Sequence, residues 1–125
     1  MENKTKTILI IENDEDFIIV LNHFLKKTPY KIEVATSSHK SLELAEKNNF
    51  DLVHVNSSMP GLNGFEVVKE LRKTEKYKTT PIIIFSATRG DVGSIESQKA
   101  GANQFVNIPI SKERYVNILD QYLLN

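Results

Sequence analysis

Cysteine and tryptophan are absent from this 125-residue chain, and methionine, proline and glycine are sparse, at two, four and five residues. The lack of thiols excludes disulfides, thiolate nucleophiles and thiolate metal sites, and it is compatible with a reducing compartment. Neither sign of charge dominates: 16 Lys and Arg balance 16 Asp and Glu, with a pI near 6.8. Such a balance gives no long-range pull towards nucleic acid or anionic lipid. Long apolar runs are missing too. The longest, Phe17 to Leu21, is far too short to cross a bilayer, and Met1 to Lys6 is polar, unlike a secretory leader. No repeat, low-complexity tract or Pro/Gly/Ser linker divides the sequence. The expectation is one cytoplasmic domain over residues 1–125. Its 40% hydrophobic and 26% charged residues are those of a globular protein with chain enough for a substantial core.

Four short apolar segments stand out: Ile8–Ile11, Leu52–Val55, Ile82–Phe85 and Gln104–Asn107. The first and third are apolar throughout and rich in β-branched residues, as strands covered on both faces of a parallel sheet should be. A fifth, Tyr30–Ala35, alternates polar with apolar and reads as an edge strand with one wet face. Helix-period segments lie between them. Phe17, Val20, Leu21, Phe24 and Leu25 form an apolar stripe. Leu42 and Ala45, then Phe65, Val68 and Leu71, then Ile95 and Ala100, repeat the pattern more weakly. Ser111 is placed to N-cap a last helix carrying Tyr115, Ile118, Leu119 and Tyr122, and Gly101 stands where a helix C-terminus wants a left-handed residue. Strand and helix alternate five times with short connections. That predicts right-handed crossovers and a doubly wound (βα)5 domain, α/β in class; of the common strand orders of such sheets, 2-1-3-4-5 is the one expected.

In such a sheet ligands sit at the carboxyl ends of the strands, where the strand order reverses. Four sets of residues should therefore converge on one cleft: Glu12 to Asp16, Asn56, Ser86 to Thr88, and Asn107 to Pro109. The motifs at these ends carry a resemblance. Ile8-Leu9-Ile10-Ile11-Glu12-Asn13 is similar to an opening strand ending in two acids. Asp51 to Asn56 followed by Met59-Pro60-Gly61-Leu62-Asn63-Gly64 resembles a third strand and its following loop. Pro81 to Ala87 resembles a fourth strand ending in Ser/Thr-Ala, and Gly101 to Pro109 a fifth ending in Lys-Pro. Together, and in this order, they resemble the receiver domain of response regulators over essentially the whole chain.

The resemblance implies a phosphoryl-accepting aspartate, a Mg²⁺ held by that aspartate and the second acid, and a lysine on the phosphoryl group. This chain departs at each point. The acceptor position is Asn56, the second acid is Asn13, and the lysine position is Ile108; Glu12 alone keeps its carboxylate. A neutral amide with delocalised lone pairs has no plausible route to nucleophilic attack. Mg²⁺ wants hard oxygens and a carboxylate or two, so no metal and no cofactor is expected, nor any group to neutralise a phosphoryl-transfer transition state. Ser86 at the hydroxyl switch position and Phe105 at the aromatic switch position stay family-like. Ile108–Pro109 matches the position of a cis proline. The expectation is a quiet cleft in which the two asparagines bond each other and backbone, with Ile108 over its mouth.

Other candidates read more plainly. Asp14-Glu15-Asp16 suits a solvated first helical turn, His54 a packed strand residue, and His23 and His39 helix surfaces. Ser57 and Ser58 lack an activating base, and Ser86 is expected to bond a loop backbone. The leading functional reading is a non-enzymatic, phosphorylation-independent signalling module that docks a protein partner, a sensor kinase or downstream effector. The docking face would span residues 91–125, including Phe105, Tyr115 and Tyr122, with a homodimer possible. The alternatives are a conventional phosphoaccepting receiver of a phosphorelay and a small-molecule sensor. FMN is disfavoured, because Asn13 to Asp16 would repel a phosphate. Nucleic acid is disfavoured by the absence of a basic face.

Overall fold

The computed structural model describes residues 5–88 and 91–124. Five strands and five helices alternate: β1 Thr7–Ile11, α1 Glu15–Leu25, β2 Lys31–Ala35, α2 Ser38–Lys47, β3 Leu52–Asn56, α3 Gly64–Arg72, β4 Ile82–Ser86, α4 Asp91–Ala100, β5 Gln104–Asn107 and α5 Lys112–Leu123. All neighbouring strands are parallel and the sheet order is β2-β1-β3-β4-β5, as the sequence pattern predicts. Alternation along each strand splits the interior in two. Leu9, Ile11, Val53, Val55, Ile82 and Ile84 face Ala45, Val67, Val68, Leu71 and Ala100 of α2, α3 and α4. Ile8, Ile10, Leu52, Ile83, Phe85 and Val106 face Leu21, Leu25, Tyr115, Ile118 and Leu119 of α1 and α5. Edge strand β2 has its exposed residues at Lys31 and Glu33.

Helix starts follow local chemistry. Asp14 is the N-cap of α1, its Oδ1 accepting from Asp16 N at 3.0 Å and Phe17 N at 3.3 Å. Ser37 caps α2, Ser111 caps α5, and Asn63 with Glu66 forms a reciprocal capping box on α3. Gly101 ends α4 with φ of 103°. Two positions of the expected apolar stripes face outward: Val20 is 41% and Ile95 50% exposed. At about 100° per residue, Ile95 lies some 140° round the helix from the buried Ala100, and Val20 sits at the margin of its stripe.

Sequence periodicity gives no hint of the bracket built by Arg72. Its Nη1 donates to Tyr77 O and Thr80 O, both at 2.7 Å, its Nε to Gly101 O at 2.9 Å and its Nη2 to Asn103 Oδ1 at 2.9 Å. One guanidinium thus ties the end of α3, the approach to β4 and the α4–β5 turn. Arg72→Met is expected to lower stability by about 2–4 kcal/mol, since a charged donor leaves several carbonyls without partners. Chemical denaturation checks this; a loss below about 0.5 kcal/mol would contradict it.

Candidate functional site

The strand order reverses between β1 and β3, and the residues at their carboxyl ends meet there. Glu12 directly follows β1, its N–H donating to Ala35 O of β2 at 3.0 Å. Its side chain is fully buried. Oε2 accepts three hydrogen bonds: from Asn13 N at 3.1 Å, Asp14 N at 3.0 Å and Asn56 Nδ2 at 2.7 Å. Oε1 has no protein partner. Asn56 ends β3, and its Oδ1 accepts from Ser58 N at 2.9 Å. Both contacts fix the amide the same way round, because a carboxylate only accepts and a backbone N–H only donates.

Two expectations are corrected by this geometry. The asparagines do not bond each other: Asn13 is exposed, and Asn56 gives its N–H to Glu12, a charged oxygen being the stronger acceptor. Nor is the cleft fully self-satisfied, since one oxygen of a buried carboxylate is left without a protein partner.

The loop after β3 is drawn tightly against the strand. Gly64 N donates to Ser57 O at 2.9 Å, and a Cβ at Gly64 would lie 2.3 Å from Asn56 O, so this close approach requires glycine. Further out, buried Ser38 on α2 pins the loop, its Oγ donating to Pro60 O at 3.0 Å and accepting from Leu62 N at 2.9 Å.

Ser86, buried at the end of β4, accepts from Thr88 N at 3.0 Å, the loop-backbone bond expected of it. It also accepts from Ser57 Oγ at 2.9 Å, a pairing not foreseen, although both residues adjoin the same pair of neighbouring strand ends. Asn107 Nδ2 donates to Thr88 O at 2.8 Å and to Ser86 O at 3.4 Å, stitching the tip of β5 to the β4 loop. Phe105 is half-buried, and a Cβ at Gly93 of α4 would lie 2.4 Å from its Cζ. Ile108 is half-buried and packs against the α1/α5-side cluster, and the Ile108–Pro109 bond is cis.

Beneath Asn56 on the same strand, His54 is fully buried, as a packed strand residue should be. Its ring stacks on Phe85 at 4.0 Å, and its Nδ1 pairs with Tyr115 Oη at 2.8 Å. Its Nε2 has no protein partner. Burial pushes its pKa down to about 3. Tyr115 is driven well above the ordinary tyrosine value, first by burial and then by the charge of Glu12. Tyr115 is therefore part of the core, which corrects its placement on the expected docking face. Among the described residues of 91–125 the exposed large hydrophobic side chains are Val92, Ile95 and Leu124, while Tyr122 is half-buried and donates to Gln104 Oε1 at 2.9 Å.

Among the described residues no three His, Cys, Asp or Glu side chains gather as a metal site would need, and no helix is long and apolar enough to cross a membrane. The family model of the response regulator receiver domain matches residues 8–120. The response regulator GtcR of Aneurinibacillus migulanus is 33% identical over 107 residues, 86% of this chain and 43% of that protein. This chain spans less than half the length of such curated relatives. Among solved structures, the chemotaxis protein CheY4 of Vibrio cholerae superposes with a TM-score of 0.90 at 26% identity, over 96% of this chain and all of that one. A putative response regulator from Chloroflexus aurantiacus gives 0.92 at 26% identity, over 98% of this chain and all of that one. The parallel sheet with its reversal point, the cleft at the strand ends and the family match converge: this chain belongs to the response-regulator receiver family of two-component signalling.

Proposed function

We propose that this receiver works without an aspartyl phosphate and signals by docking a protein partner. The observation that carries the reading is the Asn56–Glu12 bond. The side chain where the family has its phosphoacceptor is an amide, committed as a donor to the one remaining carboxylate. Its other atom, Oδ1, is occupied by Ser58 N, and a neutral amide oxygen is in any case no nucleophile towards phosphorus.

The donor set does not fit Mg²⁺. Oε2 of Glu12 already accepts three N–H groups, so Oε1 is the one carboxylate oxygen left for a metal; Asn13 and Asn56 bring no charge, and Ile108 offers hydrocarbon where a cation would balance a phosphoryl group. The hydroxyl of Ser86, freed from any phosphoryl ligand, is taken up by Ser57 and Thr88. What remains is a surface. The partner in this reading is a sensor kinase or a downstream effector docking on residues 91–125, which the exposure of Val92 and Ile95 of α4 supports.

Incubation with acetyl phosphate and Mg²⁺ is expected to leave the intact mass unchanged, and millimolar Mg²⁺ or beryllofluoride to leave the melting temperature unchanged. A gain of one phosphoryl group on residue 56 would establish the conventional phosphorelay reading instead. A ligand-dependent rise in melting temperature would show that the cleft binds after all.

A further inference from the structure

The outward face of α1 has no role in the reading above, yet its chemistry is ordered along the helix. Glu15 and Asp16 occupy the first turn, Ile19 the middle, His23 the last turn, and Lys26 and Lys27 the C-cap and the residue beyond; all six are exposed. At about 100° per residue they fall within roughly 120° of one face. Ile19 is 66% exposed, and its neighbour Val20 41%. Among the described residues none of the four charged side chains is in an ion pair. Beside the C-terminal half of the helix, an open groove of about 820 Å³ runs between α1 and the start of β2, lined by Ile19, His23, Phe24, Tyr30 and Ile32 among others.

An order of acid, apolar, base is complementary to its own reverse. We propose that this face binds a second copy of the chain through an antiparallel α1–α1 contact about a two-fold axis that crosses the exposed face midway between Ile19 and His23. Glu15 then meets the second copy's Lys27, Asp16 meets its Lys26, and Ile19 lies against its His23 at the mouth of the groove. The contact is isologous, so each pair occurs twice. A parallel arrangement would set like charges together, and a partner of uniform charge would satisfy only one end of the helix. The 11-residue helix is about 16 Å long, so the contact belongs to the small, transient class. Its rim charges make it weaken with salt. The inference stands apart from phosphate chemistry, and its failure would leave the docking reading untouched.

Sedimentation velocity on the full chain, up to about 1 mM and at low ionic strength, tests it. The wild type is expected to self-associate reversibly, and Ile19→Asp to weaken association at least tenfold. Lys26→Glu/Lys27→Glu and Glu15→Lys/Asp16→Lys should each do the same alone, and an equimolar mixture of the two should recover it, because every pair is then opposite in charge. That recovery guards against a variant that has merely lost its fold. Three results would overturn the proposal: a wild type that stays monomeric throughout, a mixture that fails to recover, or association abolished by Ile95→Asp on α4 but not by Ile19→Asp.

Discussion

Replacing Asn56 with aspartate, the isosteric change that would return a carboxylate to the family's acceptor position, is expected to destabilise the domain by about 2–4 kcal/mol near neutral pH. The cause is local. The carboxylate of Glu12 is fully buried and receives its shortest hydrogen bond, 2.7 Å, from the Asn56 amide. Aspartate removes that donor and puts a like charge in its place, while the bond from Ser58 N to the remaining oxygen can persist. Two neighbouring carboxylates are what a protein commonly supplies to Mg²⁺, with water filling the other positions. Mg²⁺ at ten times its dissociation constant should then return about 1.4 kcal/mol to the variant and nothing to the wild type. Urea denaturation of both proteins with and without Mg²⁺ gives the answer. An Asn56→Asp variant as stable as the wild type without metal would mean that the Asn56–Glu12 bond contributes little, and the account of the cleft would fall.

Acid should weaken the fold through His54. Its folded-state pKa lies near 3, against an ordinary value of 6.5, so between those values the unfolded chain binds a proton that the folded one refuses. Stability is therefore complete above about pH 6.5 and is lost as the pH falls towards 3. From pH 7 to 4.5 this single group removes about 2.5 kcal/mol. The environment explains why the proton is refused: the ring lies between Phe85 and Tyr115, and no carboxylate is hydrogen-bonded to it. The double variant His54→Leu/Tyr115→Phe removes the titrating ring without stranding the tyrosine hydroxyl. Its stability should fall less than the wild type's over the same pH interval, by about that amount. Parallel pH profiles for the two proteins would refute the assignment.

Much of this architecture was legible in the residues. The uninterrupted apolar runs at Ile8–Ile11 and Ile82–Phe85 mark β1 and β4, buried on both faces, and the alternation at Tyr30–Ala35 marks edge strand β2, which begins at Lys31. Ser111 announces the start of α5 through its own side chain, whereas the caps at Asp14, Ser37 and Asn63 emerge with the structure. Strand-end logic then gathers Glu12, Asn56, Ser86 and Asn107 before any coordinate is known. Partner choice within the cleft was not legible. Asn56 could bond Asn13 or Glu12, and only the buried position of the carboxylate decides between them. The Ser57–Ser86 pair depends on two strands ending side by side. Arg72 reads as one more surface cation on an amphipathic helix, because its acceptors are three backbone carbonyls 5, 8 and 29 residues away and a side-chain oxygen 31 residues away. The spacing of Tyr115 with Ile118 and Leu119 sets it on the apolar side of α5, yet an aromatic on that helix also suits a docking face, and only its full burial decides between the two.

The missing side chain at position 93 bears on how α4 presents itself. The ring of Phe105 fills the volume that a methyl group there would need, so the helix lies down on the fifth strand as a lid lies on its gasket. Its seating depth is set by the size of residue 105 and the smallness of residue 93. The height at which Val92 and Ile95 stand above the surface is thus a matter of steric fit between two neighbouring elements. A visiting protein that grips those two residues would be gauging the fit of glycine to phenylalanine beneath them.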